Sequence, residues 1–244
     1  MKLTFIAHSG FFLELQHTAL LFDYYEGEIP PLPDGKKLVV FVSHGHYDHF
    51  NEAVFRLSEQ YGRERVHYVL ASDIGDLEDV KERLSGSLTF MKPHEKREVP
   101  LFSVEVETLR SNDSGVAYLI GAEGKRIYHA GDLQLWDWPG EPEADNRHYR
   151  KTYEEEIRRI AGCRIDLAML VLDPRQEASM FLGMDASLSQ VKTRYAAPMH
   201  GFGSFSQNTS YRAHLSELQA CGKTLLPSDG YLEILRNGQS FLLD

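Results

Sequence analysis

The sequence predicts an α/β fold, and two observations carry that reading. Short apolar runs of strand character alternate with stretches whose apolar residues recur at helical spacing, and the His and Asp residues able to do chemistry collect where the runs end. A chain of 244 residues, 42% apolar and 25% charged, can bury a core without covalent staples, so a single domain over residues 1–244 is expected.

Residues 2–7, 10–16 and 18–24 are apolar and aromatic runs broken by His8-Ser9-Gly10, which suggests an antiparallel start. Pro30, Pro31 and Pro33 make residues 26–37 a loop, and Tyr24 and Tyr25 at its start line a pocket or pack in the core. Residues 38–42, Leu-Val-Val-Phe-Val, read as a buried strand, and Val54, Leu57 and Tyr61 fall at helical spacing after it. Residues 66–71 form a further strand, Leu77, Val80 and Leu84 a helical face ending before Gly86, and residues 88–91 and 102–108 short strands. His67 and His94 in this half lack ligand-type neighbours and are assigned structural roles. The polar turn 110–115 precedes a strand at 116–120, and residues 125–128 run as a strand into His129-Ala130-Gly131-Asp132.

Residues 133–148, with Trp136, Trp138, Pro139 and Pro142, are too irregular for a strand and read as a loop covering a pocket, the competing reading being that both rings pack in the core. Tyr149, Tyr153, Ile157 and Ile160 share a helical face ended by Gly162, and residues 166–172 form a buried strand ending in Asp173-Pro174-Arg175. Arg175 either forks onto a substrate carboxylate or phosphate or pairs with a structural Asp. Leu188, Val191 and Tyr195 mark another helix, and Leu215, Leu218 and Cys221 a last one that stops at Gly222. Residues 232–235 and 241–243, joined by Asn237-Gly238, are expected to close the chain as a hairpin.

The densest chemistry lies in Ser43-His44-Gly45-His46-Tyr47-Asp48-His49, between the buried strand and the helix. His44 and His46 are two apart, so in extended chain their imidazoles point the same way, and Asp48 and His49 follow as the chain turns. Imidazole nitrogen and carboxylate oxygen suit zinc and, less selectively, iron, manganese or nickel. A polar loop with surface histidines would explain one or two of these residues, not three histidines and an aspartate within six positions at a strand end.

His44-x-His46-x-Asp48-His49 resembles the HxHxDH signature of the metallo-β-lactamase superfamily. The resemblance implies an αββα four-layer sandwich and two divalent metal ions, zinc foremost, with Mn2+, Fe2+ or Ni2+ open. At the turn 110–115 most of that superfamily supplies a third histidine for the first metal; this chain has none, and Asp113 is the substitute expected there, an Asx turn being the plain alternative. Gly131-Asp132 resembles the element whose aspartate bridges the metals, and Met199-His200-Gly201 the last motif, whose strand-end histidine binds the second metal. The expected assignment is His44, His46 and Asp113 to one ion, Asp48, His49 and His200 to the other, and Asp132 to both. Asp48 and Asp132 would orient the attacking hydroxide. The opening Ala7-His8-Ser9-Gly10 resembles that of small metallo-hydrolases and places His8 behind the ligands. His129 is the third residue assigned to catalysis, against the alternative of a strand-end histidine with a backbone partner. Trp136, Trp138 and Arg175 are the expected substrate contacts.

The formal net charge of −10 opposes binding to a phosphate polymer, so no nucleic-acid partner is expected. No apolar run approaches membrane-spanning length, no signal peptide opens the chain, and Cys163 and Cys221 give no disulfide framework; the cytoplasm is the expected location. The expected partner is a small molecule, an anionic one being compatible because bound metals make a site locally positive. The reaction implied is metal-assisted hydrolysis of a small ester, lactone, amide or phosphoester, the chain being most similar to the small cytoplasmic metal-dependent hydrolases that include ascorbate-phosphate lactonase-like proteins. Two other classes stay open: a non-catalytic metal-binding module, because the third histidine is missing, and a di-iron redox protein, disfavoured because that group usually has Glu where His46 stands.

Overall fold

The apolar runs fold into two sheets. The structure is a computed structural model and describes residues 1–74 and 78–244; Leu77 of the expected helical face lies outside the described residues. In the first sheet β1 (Lys2–Ala7), β2 (Gly10–Glu14) and β3 (Thr18–Phe22) form an antiparallel meander, to which β4 (Lys37–Val42), β5 (Val66–Ala71) and β6 (Leu88–Met91) add in parallel. In the second, β7 (Lys96–Val99), β8 (Val104–Arg110), β9 (Val116–Ala122) and β10 (Lys125–His129) are antiparallel, and β11 (Arg164–Val171) and β12 (Lys192–Met199) continue in parallel with β10. The short strand β13 (Ser240–Leu242) closes the first sheet against β1.

The two sheets face each other across the core, with helices flanking them, as an αββα sandwich. Tyr118 of β9 reaches over to donate a hydrogen bond to Val42 O of β4 at 2.8 Å, and its ring meets Phe41 at 5.2 Å. The run Leu38-Val39-Val40-Phe41-Val42 is wholly buried, as a strand covered on both faces must be, each such side chain contributing about 1.5–3 kcal/mol. The helices are α1 (Leu57–Tyr61), α2 (Glu78–Arg83), α3 (Glu143–Ile157), α4 (Leu182–Gln190) and α5 (Ser206–Ala220). Among the described residues no helix is long and apolar enough to cross a membrane.

Three sequence expectations are corrected. Val191 and Tyr195 do not continue the helix that contains Leu188: α4 stops at Gln190, and Tyr195 lies in β12, where the pull of a parallel neighbour overrides helical spacing. The irregular stretch after Asp132 is shorter than expected, because α3 begins at Glu143. The closing hairpin does not form. The tail hydrogen-bonds to β1 through Phe5 N to Gln239 O and Gly238 N to Phe5 O, both 2.9 Å, and the Gln239 side chain accepts from Leu235 N.

Strand direction fixes where the chemistry falls. The ends of β1, β3 and β4 deliver His8, Asp23 and the residues from Ser43; the ends of β10, β11 and β12 deliver Asp132, Asp173 and His200; and β9, antiparallel to β10, starts just after Asp113. Two backbone bonds join these ends across the sandwich, His200 N to His8 O and Val116 N to Ser43 O, each 3.0 Å.

Candidate metal centre

On that rim, eight side chains form two clusters, each with one donor atom per residue and all four within 4.8 Å of one another: His8, Asp48, His49 and His200, and His44, His46, Asp113 and Asp132. The Asp132 carboxylate lies between them. Its Oδ2 is 3.4 Å from His44 Nε2, while Oδ1 is 3.2 Å from His49 Nε2 and 3.3 Å from His200 Nε2. His8 Nε2 sits 3.5 Å from Asp48 Oδ2, and His46 Nδ1 3.7 Å from Asp113 Oδ2. The sequence placed His8 behind the ligands; its Nε2 lies within the inner group of nitrogen and oxygen atoms.

Two glycines let the loops meet. Gly115, at φ +65°, packs so closely that a Cβ there would stand 2.0 Å from Ser43 O and 2.7 Å from His44 Cβ. Gly131, at φ +51°, would place one 2.7 Å from Val116 O. Both also hold a positive φ that side chains resist.

Behind the donors lie residues the sequence did not single out. Asp23, fully buried, accepts from Ser43 N at 2.7 Å, from Ser43 Oγ at 2.5 Å and from His49 Nδ1 at 2.7 Å. Ser43 Oγ in turn lies 3.0 Å from His44 Nδ1, so one carboxylate fixes the rings of both His49 and His44. Asp173 does the same for His200, taking its Nδ1–H at 3.1 Å. A charged residue ending an apolar strand, as Asp23 ends Thr18–Phe22, was the available signal.

The electrostatics call for positive charge at the centre. Burial pushes His49 down, but Asp132 and Asp23 outweigh it and hold the imidazole up at about 10. His200 is raised against burial by Asp132 and Asp173. Burial, reinforced by His49, pushes His44 down to about 4, and burial with His200 and His49 takes His8 to about 2. Asp132 stays ionised well below the carboxylate range despite burial, held there by His49 and His200. Yet His8 Nε2, His44 Nε2, His49 Nε2 and Asp132 Oδ1 are buried without a hydrogen-bond partner. Unpaired polar atoms that converge are costly alone and suited to a shared cation, so the residues fit divalent metals.

A cleft of about 430 Å³ opens over the clusters, walled by Trp136, Trp138, Tyr47, Tyr149, Arg175 and Phe202. Trp136 is only 4% exposed, stacks on Trp138 at 5.1 Å and donates Nε1–H to Asp132 O at 3.2 Å. Arg175 forks onto Asp173 through Nε and Nη2, and its guanidinium lies 3.9 Å from the Phe202 ring centroid. The structural Arg-Asp pair is therefore made, while half of the side chain stays exposed at the cleft wall. Asn112 anchors the Asp113 turn, donating to Gln134 O and Tyr149 O.

The catalytic assignment of His129 is corrected. The ring is fully buried, stacked on Phe22 at 5.1 Å, donates Nε2–H to Ser9 O at 3.0 Å and accepts from Gly131 N at 3.1 Å. With both nitrogens bound to backbone and no face on the cleft, it supports the loops and has no path to a substrate. His67 and His94 likewise have protein partners, Thr89 Oγ1 and Glu156, each at 2.9 Å.

Comparison with known proteins identifies the family and the fold. The beta-lactamase superfamily domain matches residues 2–136. A protein of Opitutus terrae named UPF0173 metal-dependent hydrolase is 27% identical over 223 residues, covering 87% of this chain and 88% of that one. Among solved structures, Igni18, a metallo hydrolase from the hyperthermophilic archaeon Ignicoccus hospitalis, superposes with a TM-score of 0.66 at 15% identity, covering 100% of this chain and 99% of that one. CmlA, a diiron beta-hydroxylase from Streptomyces venezuelae, superposes with a TM-score of 0.62 at 13% identity, over 99% of this chain and 54% of that one. At these identities the two structures share the fold.

Proposed function

The chain belongs to the β-lactamase superfamily and is a metal-dependent hydrolase; from that premise we propose that it binds two divalent cations, zinc foremost, and cleaves a small ester, lactone, amide or phosphoester. The observation that carries this reading is Asp132, whose two oxygens face different donor clusters. His44, His46, Asp113 and Asp132 would hold an outer cation, and Asp48, His49, His200 and Asp132 an inner one. When bound, such cations acidify a water molecule and polarise the scissile carbonyl or phosphoryl oxygen.

The chain's own residues do the rest. Asp23 and Asp173 keep the Nε2 lone pairs of His49 and His200 aimed at the centre by holding the Nδ1 protons. Asp48, at the cleft wall, would orient the attacking water. Trp136 and Trp138 exclude bulk solvent from one side. Arg175, fixed by Asp173, presents its remaining N–H groups to an anionic substituent of the substrate.

Metal analysis of the purified protein, together with a panel of esters, lactones and phosphodiesters, tests the reading. Close to two ions per chain are expected, and His46→Ala should lower occupancy and remove hydrolysis with the fold intact. Metal-free protein that hydrolyses as fast as the loaded form defeats it.

A further inference from the structure

We propose that His8 is itself a ligand of the inner cation, an inference that rests on the metal-dependent reading above but assigns a residue that reading leaves out. Three independent observations converge on it. His8 Nε2 belongs to the inner cluster of donor atoms, 3.5 Å from Asp48 Oδ2. That nitrogen is buried with no hydrogen-bond partner, an arrangement that a histidine serving only as a turn residue would have no reason to keep. And the backbone there is left-handed, His8 having φ 53°, a conformation uncommon outside glycine that the surroundings have to hold.

The surroundings do hold it. His200, also left-handed at φ 68°, donates its N–H to His8 O at 3.0 Å, and the two rings lie 4.3 Å apart. Phe202 closes the other side of the His8 ring at 4.5 Å. Two residues from opposite sheets thus fix each other so that both imidazoles face Asp48 and His49. Reverting His8 to an extended backbone would lose the donor.

The consequence is a division of labour. With His8 added, five residues, His8, Asp48, His49, His200 and Asp132, would hold the inner cation and four the outer one, two of those four on exposed side chains. The outer cation, held in part by exposed side chains that line the cleft, would be the more accessible of the two.

Chelator-treated wild type, His8→Ala, His8→Gln and His8→Cys should be titrated with Co2+, following binding by equilibrium dialysis and visible absorption. Wild type takes up two equivalents. His8→Ala and His8→Gln, with unchanged far-UV circular dichroism, hold one of the two at least about tenfold more weakly and with altered visible bands. Loaded His8→Cys gains a thiolate-to-cobalt charge-transfer band in the near ultraviolet that wild type, carrying only Cys163 and Cys221, lacks. If His8→Ala does not fold, His8→Gln and His8→Cys decide. Two equivalents at wild-type affinity in His8→Gln, with no charge-transfer band in His8→Cys, overturn the proposal. A wild type that binds one equivalent fails the two-cation reading alone; loss of that equivalent in His8→Ala still supports ligation by His8, and its retention overturns it.

Discussion

The inner and outer clusters draw on the same residue types and are treated oppositely by the fold. His49, His200 and His8 are buried, and the first two rings are locked by Asp23 and Asp173. In the outer cluster the side chains of His46 and Asp113 are 51% and 45% exposed, and His46 has Ser114 Oγ at 3.4 Å, Asp113 and the His44 ring, at 4.5 Å, beside it. The inner donors, and His44 of the outer cluster, are positioned by the fold alone; His46 and Asp113 would have to be ordered by the metal. A preorganised site binds more tightly because less freedom is lost on binding. The outer cation should therefore exchange first and be the easier one to replace.

The strongest way to break this contrast is to remove the group common to both halves. Asp132→Ala should weaken both cations by more than about 100-fold, since even the outer partners of metal ligands are worth 10–100-fold, and hydrolysis should vanish with them. Equilibrium dialysis showing only one weakened ion would remove Asp132 from the shared position. Next in size is Asp113. Asp113→Ala should deplete the outer cation preferentially, by about tenfold or more in affinity, and Asp113→His should retain both; both ions kept in Asp113→Ala would leave the residue a turn former, with the outer donors reduced to His44, His46 and Asp132.

The two tryptophans sharpen the same contrast in the cleft wall. Trp136, buried beside His200, should cost about 3–5 kcal/mol of stability when changed to Ala, whereas Trp138→Ala should leave stability nearly unchanged and raise KM several-fold. Equal loss of melting temperature in both would assign both rings to the core. The smallest effect concerns a histidine outside both clusters. Burial pushes His67 from 6.5 down to about 4, so its neutral form contributes stability that is complete above pH 6.5 and is lost as pH falls through 4. Denaturant unfolding at pH 7 and pH 4 should show wild type losing on the order of 2 kcal/mol more than His67→Gln over that interval; parallel losses would mean that His67 is protonated without cost.

Much of this was readable along the chain. The strand-end motif at His44 to His49, the Gly131-Asp132 element and His200 each announce themselves by residue type and position. Strands whose apolar runs are buried on both faces, such as Lys37–Val42, were legible for the same reason. What was not legible depends on atoms meeting across the sandwich. The function of Asp23 exists only because Ser43 and His49 come within 2.7 Å of it, and its place at the end of an apolar strand marks it as a charged residue there without saying what it meets. His129 misled for the converse reason: its place before a ligand loop suggested chemistry, and only the partners of its two nitrogens show that both are already taken. Tyr195 shows local spacing losing to sheet pairing.

The close approach at Gly115 has a consequence for how this protein tolerates change. Gly115 offers no atom to a cation, yet a methyl group there would collide with the carbonyl that receives the Val116 N–H and with the β-carbon of His44. One added carbon would push the Asp113 turn and the His44 loop apart together. In a saturation library sorted for hydrolysis, position 115 should therefore be as intolerant as the histidines themselves. Grafting the donor residues onto another sandwich should fail wherever the recipient lacks that gap.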